Sequence, residues 1–192
     1  MKKSLFILGL VSLGFLFVGC DSKTSIDEKV LAKKKVVTQT NKNSESQPFK
    51  LVTTDGKVIN FKFTDEGINF DDYKGNKAIL VDVFATWCPP CIAEIPTLIE
   101  LKNKYKDKFE IVSVLFEQDK PKEEVLEFIK KFGINYPITM GDDNFVLAKE
   151  LGDIKKVPEM FLFSKEGKFV NKFIGATAKE DLEHFINVAI EN

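Results

Sequence analysis

Ile79-Leu80-Val81-Asp82-Val83-Phe84-Ala85-Thr86-Trp87-Cys88-Pro89-Pro90-Cys91 is the stretch whose reading decides the fold. The run ending at Phe84 is apolar at every position but Asp82, the pattern of a strand buried on both faces. A helical pattern follows, so the two cysteines fall at a strand-to-helix turn. One sulfur then lies at a helix N-terminus and the other one turn inside. Unpaired N–H groups and the positive end of the helix dipole favour a thiolate there.

Other uses of Cys-x-x-Cys fit poorly. A structural zinc site needs four ligands, whereas this pair has only His184, far along the chain, to add. A c-type haem site needs His after the second cysteine, and Ile92 stands there. A structural disulfide across two residues closes too small a loop to restrict the unfolded chain. A redox pair remains, with Cys88 as nucleophile and Cys91 as resolving thiol. A thiol of pKa about 8.5 is roughly 3% ionised at pH 7, and one tuned to about 7 is half ionised. Pro89 and Pro90 suit a first helical turn and stiffen the loop, but they leave fewer donors near Cys88. An extremely acidic thiol is therefore not expected.

Working outward, residues 49–53 and 58–64 flank Asp55-Gly56 as a hairpin, and residues 71–75 form a turn. A helix is expected from about residue 91 to 105, interrupted by Pro96, and residues 109–116 read as a second buried strand. Pro121 starts a helix that carries Val125, Phe128, Ile129 and Phe132 and stops at Gly133. Residues 134–140 suggest a short strand, and Asp142 or Asp143 caps a short helix through Leu151. Residues 159–164 and 168–174 form a second hairpin. Thr177 and Glu180 form a capping box for a last helix with the stripe Leu182, Phe185, Ile186 and Ala189. Strands alternating with helices and closing on a hairpin and a helix predict an α/β fold around a mixed β-sheet.

The 192 residues are 44% hydrophobic, include 18 Phe, and carry a formal net charge of −1. That suffices for one core, and no basic field points to nucleic acid. Lys2 and Lys3 precede a short apolar run ending at Val18. The run is shorter than the about 20 residues a membrane span needs, and it fits a secretory signal. An uncleaved signal anchor is the alternative, and either puts the domain on the exocytoplasmic side, tied to a membrane. Residues 21–47 are rich in Lys, Ser, Thr and Asn and read as a flexible tether reaching about 30 Å.

Residues 79–91, with Glu94 and Pro96, resemble the thioredoxin superfamily, and within it membrane-tethered TlpA/ResA-type and cytochrome c maturation-type thiol reductases. The resemblance covers residues 48–192 and includes an N-terminal β-hairpin and a central βα insert near residues 118–151. It implies a thioredoxin-like sheet flanked by helices. Phe17-Val18-Gly19-Cys20 resembles a bacterial lipobox, which implies a signal peptide over residues 1–19 and lipidation of Cys20. Residues 20–47 would then be the lipidated N-terminus and tether. With Cys20 lipidated, Cys88 and Cys91 are the remaining pair in an oxidising compartment. Val157-Pro158-Glu159-Met160 resembles the family's cis-proline segment. This implies a cis bond before Pro158 and Val157 backbone groups that pair with an extended substrate, beside Trp87, Pro89 and Pro90.

Asp82 matches the buried acid that relays a proton to the resolving thiol in thioredoxins, and a satisfied structural Asp is the alternative. Glu94, three residues after Cys91, matches an acid near the active site of TlpA/ResA-type reductases, and an ordinary solvated helix Glu is the alternative. Either acid is a candidate base toward Cys91. Trp87 is expected beside the disulfide, with core packing as the rival account, and His184 on the surface. The resemblance implies a monomer without metal or cofactor that reduces disulfides in exported client proteins, apocytochrome c among the candidates. Electrons would come from a membrane thiol reductase. A disulfide-donating oxidase, a non-catalytic binding or metal-chaperone module and a peroxidase are the rivals.

Overall fold

The computed structural model describes residues 48–192. The expected signal segment 1–19, Cys20 and the tether to residue 47 lie outside the described residues. Eight strands form one sheet: β1 (Phe49–Thr53), β2 (Val58–Thr64), β3 (Gly67–Phe70), β4 (Ala78–Phe84), β5 (Phe109–Leu115), β6 (Ile138–Met140), β7 (Glu159–Phe163) and β8 (Phe169–Ile174). Four helices join them: α1 (Pro89–Lys104), α2 (Lys122–Phe132), α3 (Asp143–Glu150) and α4 (Lys179–Glu191). The strand order is β3-β2-β1-β6-β5-β4-β7-β8. β5 pairs in parallel with β4 and β6, and the other neighbours are antiparallel.

β4 and β5 are buried at all seven positions each, because helices cover both faces of the sheet centre. Val81, Val83, Val112 and Val114 face the side that holds Leu147 and Ala148 of α3. Leu80, Ile111, Met160 and Leu162 face the side that holds Leu98 and Leu101 of α1 and Leu182 and Ile186 of α4. Phe84, Leu115 and Ile138 close the upper end of the sheet around the two cysteines, with Val125 of α2. The turn that carries Cys88 therefore leaves the centre of the sheet, at the carboxyl end of its parallel strands.

The structure departs from the expectations at four places outside α1. β3 has no counterpart among the expected strands, since its four residues follow directly on the Asp65-Glu66 turn and find their partners in β2 and, at Gly67, in Lys168 of the β7–β8 turn. The short strand before α3 begins at Ile138, not Ile134. Asp142 sits at the start of α3 in a helical conformation and makes no side-chain cap. Thr177 and Glu180 form no capping box: α4 is preceded by Ala178, without a side-chain cap. The Thr177 hydroxyl donates to Gly175 O at 3.2 Å, and its N–H is claimed by Glu94. A buried carboxylate across the fold outcompetes the local motif.

Candidate active site

α1 starts at Pro89, two residues earlier than expected, and Cys88 is its N-cap residue with φ −86° and ψ 108°. Prolines at the first two helical positions remove two of the N–H groups that a helix start leaves unpaired. The first donor left is that of Cys91, and it points at Cys88 Sγ at 3.3 Å. The cysteines form a disulfide, with Cα atoms 5.3 Å apart. Cys88 is 3% exposed and Cys91 5%. The backbone donor that meets Sγ here is placed to stabilise a thiolate once the bond opens.

The Val157–Pro158 bond is cis. Pro158 is buried, and its carbonyl accepts Gly175 N–H at 2.9 Å. Val157 packs on the cluster that contains both cysteines. Neither its N–H nor its C=O has a hydrogen-bond partner among the described residues. Trp87 is 68% exposed, so core packing is ruled out and its indole lies open next to the cysteines. Pro89 is exposed and Pro90 half-buried.

Both acids lie below the disulfide on the α1 side of the sheet. Asp82 is buried, and Ser113, its register partner on β5, donates to its carboxylate at 2.7 Å. Burial pushes its pKa up to about 6, and the Ser113 hydroxyl only partly opposes this. Phe84 and Leu115, one pleat further along, already touch the cysteine cluster. Glu94 is 6% exposed, which excludes an ordinary solvated helix position. Burial pushes its pKa up to about 7, the Thr177 N–H bond at 2.7 Å opposes this, and the Asp82 charge adds to it. Burial thus lifts both carboxyls toward neutrality, and the Asp82 charge adds to the rise at Glu94.

The Redoxin family profile matches residues 37–186. The chain belongs to the Redoxin family. This Redoxin is a thiol–disulfide oxidoreductase of the TlpA/ResA type. It is 34% identical over 131 residues to the thiol-disulfide oxidoreductase ResA of one Bacillus cereus strain, covering 66% of this chain and 73% of that one. With ResA of Bacillus subtilis (strain 168) it is 28% identical over 188 residues, covering 97% and 94%. A thiol:disulfide interchange protein of the thioredoxin family from Chlorobium tepidum superposes with a TM-score of 0.58 at 27% identity, covering 74% of this chain and 93% of that one. StoA from Bacillus subtilis superposes with a TM-score of 0.54 at 25% identity, covering 72% and 96%. The fold of the Redoxin domain is thioredoxin-like, as the resemblance implied.

The structure brings Cys88, Cys91, Trp87, Pro89, Pro90, Val157 and Pro158 to one end of the sheet, with Asp82 and Glu94 beneath them. His184 is exposed on α4, edge-on to Phe185 at 5.0 Å, and takes no part. Three contributors escape the sequence reading of this Redoxin. Ser113 and Thr177 hold the two acids, and burial raises the pKa of Tyr136, with the Asp82 and Glu94 charges adding to it. Ser113 has one legible signal, a polar residue that, with Glu110, interrupts a buried strand. Thr177 has none, because its backbone N–H does the work. Among the described residues no group of three or more His, Cys, Asp or Glu side chains is gathered for a metal.

Proposed function

We propose that this oxidoreductase works on the exocytoplasmic side of a bacterial membrane, where it reduces disulfides of exported proteins. What supports this is the pairing of an N-capping Cys88 with an unbonded Val157 backbone beside it and two acids near neutrality behind it. An extended client segment docks on Val157 by backbone hydrogen bonds, against Trp87 and the Pro89-Pro90 turn. The Cys88 thiolate attacks one client sulfur, forms the mixed disulfide and releases the other client sulfur as a thiolate, which takes a proton from water. Glu94, with Asp82 behind it, takes the Cys91 proton. The Cys91 thiolate then attacks Cys88 Sγ and releases the second client thiol. Two electrons and two protons have passed to the client, and the protein is left as the Cys88–Cys91 disulfide. A dithiol of a membrane thiol reductase returns it to the reduced state.

The anchor reading rests on sequence: Lys2, Lys3, a short apolar run and Gly19-Cys20. Residues 1–19 serve as signal peptide, Cys20 carries lipid, and residues 20–47 tether the catalytic domain. Apocytochrome c is one candidate client. The midpoint potential of the full chain, equilibrated against dithiol buffers, tests the direction. A value near −250 mV or lower is expected, and one near −120 mV would make the protein an oxidase instead. Radiolabelled fatty acid should enter the parent chain and not Cys20→Ala. Reduction of a disulfide-bonded apocytochrome c peptide should cease in Cys88→Ser; an equal rate would refute catalysis by this pair.

A further inference from the structure

Pairing between β4 and β5 ends at Phe84 and Leu115, with one further bond from Phe116 N–H to Phe84 O at 2.8 Å. Beyond it the chain crosses from sheet to α1 through residues 85–87. On the inner side of this turn Cys88 N–H donates to Ala85 O at 3.2 Å. On the other side, Thr86 N–H and Thr86 Oγ1 both donate to one oxygen of Glu117, at 2.5 and 2.6 Å. Among the described residues no other side chain is hydrogen-bonded to this segment. The Glu117 side chain is only 11% exposed, and its second oxygen faces Lys120 Nζ at 3.8 Å. Lys120 also pairs with Glu124 of α2 at 2.7 Å.

We infer that Glu117 is a positioning residue for thiol–disulfide exchange: it clamps Thr86, and through it sets Trp87 and Cys88 at the mouth of α1. Thr86 is half-buried, so leaving its N–H without a partner costs more than at an open position, and a charged acceptor holds it more tightly than a neutral one. The clamp also joins the catalytic turn to the central insert, since Glu117 opens the segment that leads into α2. Without it, residues 85–87 sample arrangements in which Cys88 Sγ leaves the helix N-terminus. The observed reactivity then falls by the fraction of molecules that remain competent.

The inference rests on exchange at Cys88 and on neither direction of electron flow. Four variants of the full chain test it: Glu117→Ala, Glu117→Gln, Thr86→Val and Thr86→Ser. The rate of the reduced protein with a small aromatic disulfide at pH 7 should fall about tenfold in Glu117→Ala and less in Thr86→Val, which keeps its N–H. Glu117→Gln keeps an acceptor oxygen and should recover to within about threefold, and Thr86→Ser should match the parent. Trp87 is the only tryptophan, so its fluorescence anisotropy reports the turn without any exchange reaction. It should drop in Glu117→Ala while helix content and unfolding midpoint stay near the parent's. Unchanged anisotropy and rate in Glu117→Ala and Thr86→Val would overturn the proposal. So would a rate loss that follows global stability and is not rescued by glutamine.

Discussion

Replacing Glu94 with glutamine should make the oxidised protein more stable, and only above about pH 5. Glu94 is a buried residue of α1 whose pKa is pushed up to about 7 from 4.5, chiefly because burial disfavours its charge. A carboxyl whose folded-state pKa lies above its unfolded value contributes stability in full below the unfolded value. That contribution is lost as pH rises through the folded one. At about 1.4 kcal/mol per pH unit, the loss between pH 4.5 and pH 8 is about 3 kcal/mol. Asp82, held near 6 against 3.8, adds a loss of the same sign over a lower window. Glutamine keeps a carbonyl for Thr177 N–H, so the bond at 2.7 Å has a ready acceptor. Urea unfolding of oxidised parent and Glu94→Gln at intervals from pH 4.5 to 8 gives the test. The two curves should nearly meet at pH 4.5 and separate by up to about 3 kcal/mol at pH 8. Parallel curves would refute the claim that this carboxyl titrates near neutrality inside the fold, and with it the basis for proton transfer from Cys91.

The same substitution should remove the rise in resolution rate between pH 6 and 8, read by stopped-flow release of the second thiol from a Cys88-linked mixed disulfide. Asp82→Asn should bring the Glu94 titration down toward its usual range, visible as a lower midpoint in that profile. Gly167 has φ +81°, and a Cβ there would lie 2.5 Å from Ile68 O, where the β7–β8 turn meets β3. Gly167→Ala should therefore cost about 1–3 kcal/mol in urea unfolding, and a neutral result would show that the β3 edge yields. Trp87→Ala should leave stability within about 0.5 kcal/mol, because the indole is 68% exposed, and lower the rate with protein disulfides more than with small ones. Cys91→Ser should accumulate a covalent client adduct on non-reducing gels, and its absence would reassign the nucleophile.

The amino-acid order was enough to locate the buried strand, the helix that follows, the redox pair between them and both hairpins. Each of these rests on short-range chemistry: hydrophobic periodicity, proline at helical starts, and glycine in turns. Asp82 stood out for the same reason, as a lone acid among apolar neighbours. What the two acids do was decided elsewhere. Whether a helix glutamate is solvated or buried depends on what packs over it, and only the meeting of α1 with the Gly175-Ala176-Thr177 segment puts Glu94 out of water. That meeting also undid the expected cap at Thr177. Ser113 reaches Asp82, and Glu117 reaches the turn before Cys88, each from 31 residues away, because β4 and β5 run parallel in register. Local residues choose the elements; long-range register and burial set the charge and the hydrogen bonds around the sulfurs.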